Sequence, residues 1–309
     1  MEAYRSRPHI MKKILVTGGS GQVGQELQKL SWPDGMVVFA PPRDVLDLAQ
    51  PAHIEQVLRM HQIAGIVNAG AYTAVDAAES DGLNAFLING ASPTALAMYA
   101  KEYEIPLVHI STDYVFNGLK DVPYNENDPV GPQGVYGASK AAGEFGILTS
   151  SCRHVILRTS WVFSETGKNF VKTMIRLADR PELTIVDDQV GCPTSAKDIA
   201  QASKSVLLRL LQDHQAPTGI YHFCGDEQVT WFGFAQEIFM ILDQMGYDTP
   251  RLIPVTSSAY PTPAKRPENS AMSVEKISHD FDLRPSRWRS ELHQLVGTLA
   301  DDASIGGNL

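Results

Sequence analysis

The chain reads as an α/β protein of the Rossmann type: a doubly wound parallel sheet with a smaller C-terminal substrate lobe. Three observations lead there. A short β-rich run, Ile14 to Thr17, breaks at a glycine cluster and gives way to helical spacing at Val23, Leu27 and Leu30. Strand-like and helix-like segments then alternate, the pattern of βαβ units on a parallel sheet. After about residue 160 the alternation loosens into helical stretches parted by proline loops, among them Tyr260-Pro261-Thr262-Pro263.

In order, Met36 to Ala40 is the second apolar run and stops at Pro41-Pro42. Helical periodicity from Ile54 to Met60 precedes a strand at Ile66-Val67-Asn68. A long helix is expected over Ala85 to Tyr103, a strand over Leu107 to Ser111, a helix over 138–149 and a strand over Val155 to Thr159. Further helices are expected at 168–179, 197–213 and 232–245. The chain thus divides into an unstructured extension (1–10), a dinucleotide-binding half (11–160) and a mainly substrate-binding lobe (161–309), some of whose elements return to the sheet. Ser304 to Leu309 are expected to fray. Right-handed crossovers gather the strand C-termini, and with them the ligand, on one edge.

With 309 residues, 43% hydrophobic and 20% charged, the chain can bury a sizeable core. A net charge of −9 argues against a nucleic-acid or membrane-surface partner, while local basic residues can still hold an anionic substrate. Cys152, Cys192 and Cys224 lie far apart without a CxxC, so neither a zinc site nor a disulfide framework is expected. No apolar stretch approaches the ~20 residues of a membrane span. Residues 1–10 lack the apolar core of a signal peptide, so the cytoplasm is the expected compartment.

Thr17-Gly18-Gly19-Ser20-Gly21-Gln22-Val23-Gly24 lies between a predicted strand and a predicted helix. Glycines let a pyrophosphate approach main-chain N–H groups, and the helix N-terminus adds partial positive charge. That context selects dinucleotide binding over a packing turn. The second strand ends in Phe39-Ala40-Pro41-Pro42-Arg43, without the acidic residue that binds a ribose 2′-hydroxyl. Arg43 either pairs with a 2′-phosphate or is a surface loop charge; the first reading favours NADPH, with NADH tolerated.

Tyr136 and Lys140 stand four apart at the start of a predicted helix and share a face. Ketone reduction needs a proton donor, and an ammonium beside a tyrosine is expected to lower its pKa towards neutrality. Ser111 and Thr112 end the preceding strand at the same edge, where their hydroxyls can orient a carbonyl oxygen.

Taken together these segments resemble the dTDP-4-dehydrorhamnose reductases, extended short-chain dehydrogenases that make dTDP-L-rhamnose. The resemblance runs from about Met11 to the last helix. It rests on Gly18 to Gly24, Val67 to Asp76, Ser111-Thr112-Asp113-Tyr114-Val115-Phe116, Val135-Tyr136-Gly137 through Lys140, Arg158 to Phe163, Asp188-Gln189 through Thr194, and Arg266-Pro267-Glu268-Asn269-Ser270. It implies reduction of the C4 keto group of dTDP-4-dehydro-L-rhamnose with NAD(P)H. Thr112, Tyr136 and Lys140 match the family's catalytic trio, and Gly21, Gln22 and Val23 its pyrophosphate loop. Asp47 and Leu48 match adenine contacts, and Gly70, Ala71, Tyr72 and Asn89 line its cofactor channel. Asp113, Tyr114, Trp161 and Arg266 match the substrate side, although Trp161 reads equally as core.

Alanine often stands where this chain has Gly70, a change expected to give the cofactor more room. Some members bind magnesium through glutamates at a dimer contact. Glu26 matches one, but Lys197 stands at the other, which argues against metal binding here and leaves a homodimer open. Two other readings share the scaffold: another nucleotide-sugar reductase or epimerase, and a non-catalytic regulatory subunit. The Arg43 region and the Arg266 to Ser270 segment favour the reductase over the epimerase, and Ser111-Thr112-Asp113 with Arg266 to Ser270 favour it over the subunit.

Overall fold

The structure is a computed structural model that describes residues 11–306; the expected extension (1–10) and the last three residues lie outside the described residues. β1 (Lys12–Thr17) leads through the glycine loop into α1 (Gln22–Lys29), and β2 (Met36–Phe39) pairs with β1 at the sheet edge. α2 (Pro51–Arg59) carries the chain to β3 (Ile63–Asn68), on the opposite side of β1. Next come α3 (Val75–Ala78), α4 (Gly82–Phe86), a π-helical turn (Leu87–Ala91), α5 (Ser92–Glu102) and β4 (Leu107–Thr112). α6 (Val135–Thr149) and β5 (His154–Thr159) complete the first half.

The six-stranded sheet has the order β2-β1-β3-β4-β5-β10, all parallel, where β10 is Gly219–His222. Its direction of winding reverses between β1 and β3. In open α/β sheets the ligand crevice opens beyond the strand C-termini at such a reversal. Parallel strands covered on both faces must be apolar throughout. Ile14, Leu15 and Val16 on β1 and Val155, Ile156 and Leu157 on β5 are accordingly inaccessible to solvent.

The second half supplies β6 (Val162–Phe163), α7 (Phe170–Arg176), β7 (Glu182–Val186), β8 (Val190–Gly191), β9 (Thr194–Ser195) and α8 (Ala196–Gln212). After β10 come β11 (Val229–Thr230), α9 (Trp231–Gln244), β12 (Arg251–Val255), α10 (Glu275–Phe281) and α11 (Trp288–Gly306). Helix α8 returns to the sheet: Ile199, Val206 and Leu207 pack with Ile14, Val67 and Val155. A separate core joins Phe163, Val171, Phe234, Ile238, Trp288, Leu292 and Val296 beside the parallel β7–β12 pair. Helix α11 continues past Ser304, where fraying was expected, to Gly306.

The long helix expected over Ala85 to Tyr103 is interrupted by the π turn. Pro93 has no N–H to give the Asn89 carbonyl four residues earlier, so the regular ladder fails there. The Ser92 N–H reaches back five residues to Leu87 instead. Such turns recur at functional sites, and this one carries Asn89.

Trp288 anchors the second core: it is 1% exposed, meets Phe234 edge-on at 5.4 Å and donates from Nε1 to the Glu227 carbonyl at 3.1 Å. Trp288→Ala should destabilise the protein by about 3–5 kcal/mol, the cost of emptying a large aromatic site. A urea unfolding midpoint unchanged from the parent would contradict this account of the core.

Candidate functional site

The glycine loop leaves β1 at the winding reversal. Gly18 holds φ +67°, and a Cβ there would lie 2.5 Å from the Gly70 Cα, so the loops after β1 and β3 touch backbone to backbone. A Cβ on Gly24 would stand 2.1 Å from the Gly18 carbonyl oxygen. Only glycine at both positions allows this tight entry into α1, and the resulting cradle suits a pyrophosphate at a helix N-terminus. The Val23 side chain turns into the core. The Gln22 side chain points elsewhere: its Oε1 accepts from Ser164 Oγ at 3.2 Å and Asn169 Nδ2 at 3.0 Å, in the second half of the chain.

Arg43 is exposed beyond the end of β2 and its Nε lies 3.2 Å from Asp47 Oδ1. The Ala49 N–H, ahead of Arg43, holds the Asp47 carboxyl below its usual range. A Cβ at position 70 would lie 2.5 Å from Leu48 Cδ1. The space that glycine leaves there is thus taken by Leu48, rather than simply freed for a cofactor. Asn89, buried on the π turn, clamps the loop that carries Ala71: its Nδ2 donates to the Tyr72 carbonyl at 3.0 Å and its Oδ1 accepts from the Tyr72 N–H at 2.8 Å.

Thr112 ends β4 and caps the next turn, accepting from the Tyr114 N–H at 3.2 Å and donating to Asp113 Oδ1 at 2.9 Å. Its hydroxyl lies near Tyr136, in the first turn of α6, whose ring meets that of Tyr114 edge-on at 5.5 Å. Lys140, one turn on, is 2% exposed and donates to the Ile110 carbonyl at 2.6 Å. Burial lowers its pKa to about 8, against the pull of Glu144. Burial also raises Tyr136 to about 12, with Thr112 opposing. The expected lowering by Lys140 is not seen, because that ammonium faces Ile110 and His109 instead of the phenol.

Ser111 has a different partner from the one expected. Its hydroxyl donates to Glu144 Oε1 at 2.5 Å, not towards the open edge. Arg158 completes that bridge through Nε to Oε1 at 2.9 Å and Nη2 to Oε2 at 2.6 Å. Sequence reasoning missed Glu144 and the role of Arg158. A glutamate one turn after Lys140 and an arginine inside an apolar strand were the available signals.

Among the residues expected on the substrate side, Asp113 is 2% exposed, and desolvation lifts its carboxyl to about 6 while Ser270 and Thr112 pull it down. Its Oδ2 has no protein partner. Arg266 Nη2 pairs with Asp76 Oδ2 at 2.8 Å; burial pushes the Tyr114 hydroxyl up, with Arg266 opposing. Trp161 stands at φ +47°, half-buried, stacked 3.5 Å from Trp231 with the rings 5° from parallel. Trp231 carried no signal in sequence beyond being aromatic.

The two positions weighed for magnesium are otherwise engaged. Glu26 pairs with Lys29 at 2.8 Å and Lys197 with Glu291 at 3.6 Å, while Asp198 accepts from the N–H and hydroxyl of Ser286.

The family model described as the RmlD substrate binding domain matches residues 11–300. The dTDP-4-dehydrorhamnose reductase of Sinorhizobium fredii is 40% identical over 289 residues, 93% of this chain and 97% of its own. That of Burkholderia thailandensis is 42% identical over 285 residues, covering 90% and 95%. The crystal structure of a Bacillus anthracis dTDP-4-dehydrorhamnose reductase with NADP superposes with a TM-score of 0.84 at 31% identity, covering 93% of this chain and 99% of that one.

Asp113 gives the site a pH signature. An unfolded aspartate ionises near ~4, whereas this one keeps its proton to about 6 in the fold. It therefore favours folding at low pH and costs stability as pH rises through that range. Relative to the parent, Asp113→Asn should gain roughly 1–3 kcal/mol between about pH 4 and pH 8 in urea unfolding. A difference independent of pH would mean that the Asp113 carboxyl is not desolvated.

Proposed function

Because the chain belongs to the dTDP-4-dehydrorhamnose reductase family, we propose that it reduces the C4 keto group of dTDP-4-dehydro-L-rhamnose with NADPH to give dTDP-L-rhamnose. The observation that carries the reading is the meeting of Thr112, Tyr136 and Lys140 with the Gly18–Gly24 loop at one sheet edge. On this reading residues 11–160 hold the cofactor and most substrate contacts come from 161–309. The reading puts the enzyme in the cytoplasm, in keeping with three free, buried cysteines.

The cradle of Gly18, Gly21 and Gly24 receives the pyrophosphate, with Gln22 and Val23 offering main-chain N–H groups. Asp47 and Leu48 border the adenosine, and Gly70, Ala71 and Tyr72, braced by Asn89, form the channel wall. When bound, the nicotinamide supplies hydride to C4. Tyr136 gives its phenolic proton to the C4 oxygen, so its O–H bond breaks as the substrate O–H forms. Thr112 orients that oxygen, and Lys140 turns from Ile110 towards the phenolate left behind to offset its charge. Asp113, Tyr114 and Trp161 contact the nucleotide-sugar, and Arg266 exchanges Asp76 for the substrate's phosphates.

The direct test supplies dTDP-4-dehydro-L-rhamnose and NADPH and identifies the product by NMR; failure to form dTDP-L-rhamnose defeats the proposal. Tyr136→Phe should lower turnover ~10²-fold or more with cofactor binding nearly intact. Full turnover in that variant would remove Tyr136 as the acid. If Arg43 swings from Asp47 to a 2′-phosphate, Arg43→Ala should weaken NADPH by about 1.5–3 kcal/mol and NADH hardly at all. Equal losses for both cofactors would leave Arg43 a surface charge.

A further inference from the structure

Behind Lys140 lies a line of buried polar groups that the reaction as described does not use. Lys140 Nζ stands 3.4 Å from His109 Nε2, on β4. The other ring nitrogen, Nδ1, meets Asn68 Nδ2 at 2.8 Å, from β3. Asn68 Oδ1 accepts the Thr17 hydroxyl at 2.5 Å, and Thr17 Oγ1 accepts the Gly70 N–H at 3.0 Å. His109 is inaccessible to solvent, and Thr17 and Asn68 nearly so. The line thus runs from the catalytic lysine to the loop where β1 and β3 touch.

The directions of these bonds fix the state of the imidazole. Thr17 has a single proton, and it is spent on Asn68 Oδ1, so the Asn68 amide turns its NH₂ towards His109. Nδ1 must then be the bare, accepting nitrogen, and in a neutral ring the proton sits on Nε2. Burial and the nearby Lys140 both keep the ring neutral. The Nε2–H consequently points at Lys140 Nζ. A neutral amine accepts such a donor, whereas an ammonium opposes it.

Resting on the reading of Lys140 as part of the reductase machinery, we propose that His109 is a positioning residue for it. The Gly70–Thr17–Asn68 line locks His109 with its proton on Nε2, and that N–H poises Lys140 to give up a proton. The groups facing Lys140 are His109 from β4 and Glu144 from its own helix, the latter bridged to Arg158 of β5. His109 faces Lys140 from α6 and His154 from β5. Because the line ends on the Gly70 N–H, a ligand that shifts the Gly70 loop also shifts the balance at Lys140.

The test has two arms. In the first, kcat is followed against pH. His109→Leu removes the opposing donor, so the alkaline limb set by loss of the Lys140 proton should move up by about one pH unit. His109→Gln, which offers an amide N–H, should restore it. Asn68→Leu should reproduce the upward shift by freeing the imidazole to change tautomer. A uniform loss of kcat at every pH, with the limb unmoved, would make His109 a packing residue and overturn the proposal.

The second arm needs no substrate and no variant, and so stands apart from the reductase reading. In wild-type protein with ¹⁵N-labelled histidine, the His109 ring should carry its proton on Nε2. Its signals should respond as Lys140 titrates around pH 8, and again on addition of NADPH. A proton on Nδ1, or signals unmoved by both pH and NADPH, would overturn the proposal even if every variant failed to fold.

Discussion

The candidate site depends on one buried ion pair. Glu144 sits in the middle of α6, and both its carboxylate oxygens are taken, by Ser111 from β4 and Arg158 from β5. The guanidinium also lies over the Phe116 ring at 4.9 Å. Removing one partner of such a pair strands a charge in the interior, at a cost of about 3–5 kcal/mol. The bridge ties the helix to two adjacent strands at once. Lys140 lies about one turn before it and Tyr136 about two, so both are carried to the strand ends.

Around that anchor the site is dry, and dryness drives each ionisable group towards its uncharged form. Asp113 and Tyr136 are raised, while Lys140 and His109 are lowered, with burial the leading cause in every case. So desolvated a pocket is strongly responsive, since any charge in it interacts at short range with little solvent screening. The cost is felt at Asp113, where the hydroxyls of Ser270 and Thr112 only partly offset the desolvation.

The sheet was legible because parallel strands covered on both faces leave continuous apolar runs, and β1, β3, β4 and β5 each do so. The glycine loop was legible because a left-handed backbone at Gly18 and close contact at Gly24 leave a compositional trace. Tyr136 and Lys140 showed through helical spacing. What stayed hidden are pairings between residues far apart in sequence. Asn68 and His109 meet only because β3 and β4 are neighbours in register, and nothing local announces it. Arg266 with Asp76 and Trp161 with Trp231 are of the same kind. The π turn is intermediate: Pro93 was visible, but whether a helix ends or bulges at a proline depends on what packs against it.

Gln22 makes the glycine loop less portable than its motif implies. Dinucleotide-binding loops look interchangeable between proteins, since their glycines and helix N-terminus are generic. Here the residue between Gly21 and Val23 spends its side chain on Ser164 and Asn169, and Asn169 is itself the cap of α7. The loop and the start of the second core are therefore joined through one side chain. A chimera that imported a foreign loop with another side chain at this position would cost the capping asparagine one of its two Nδ2 acceptors, leaving it the Ser164 carbonyl alone.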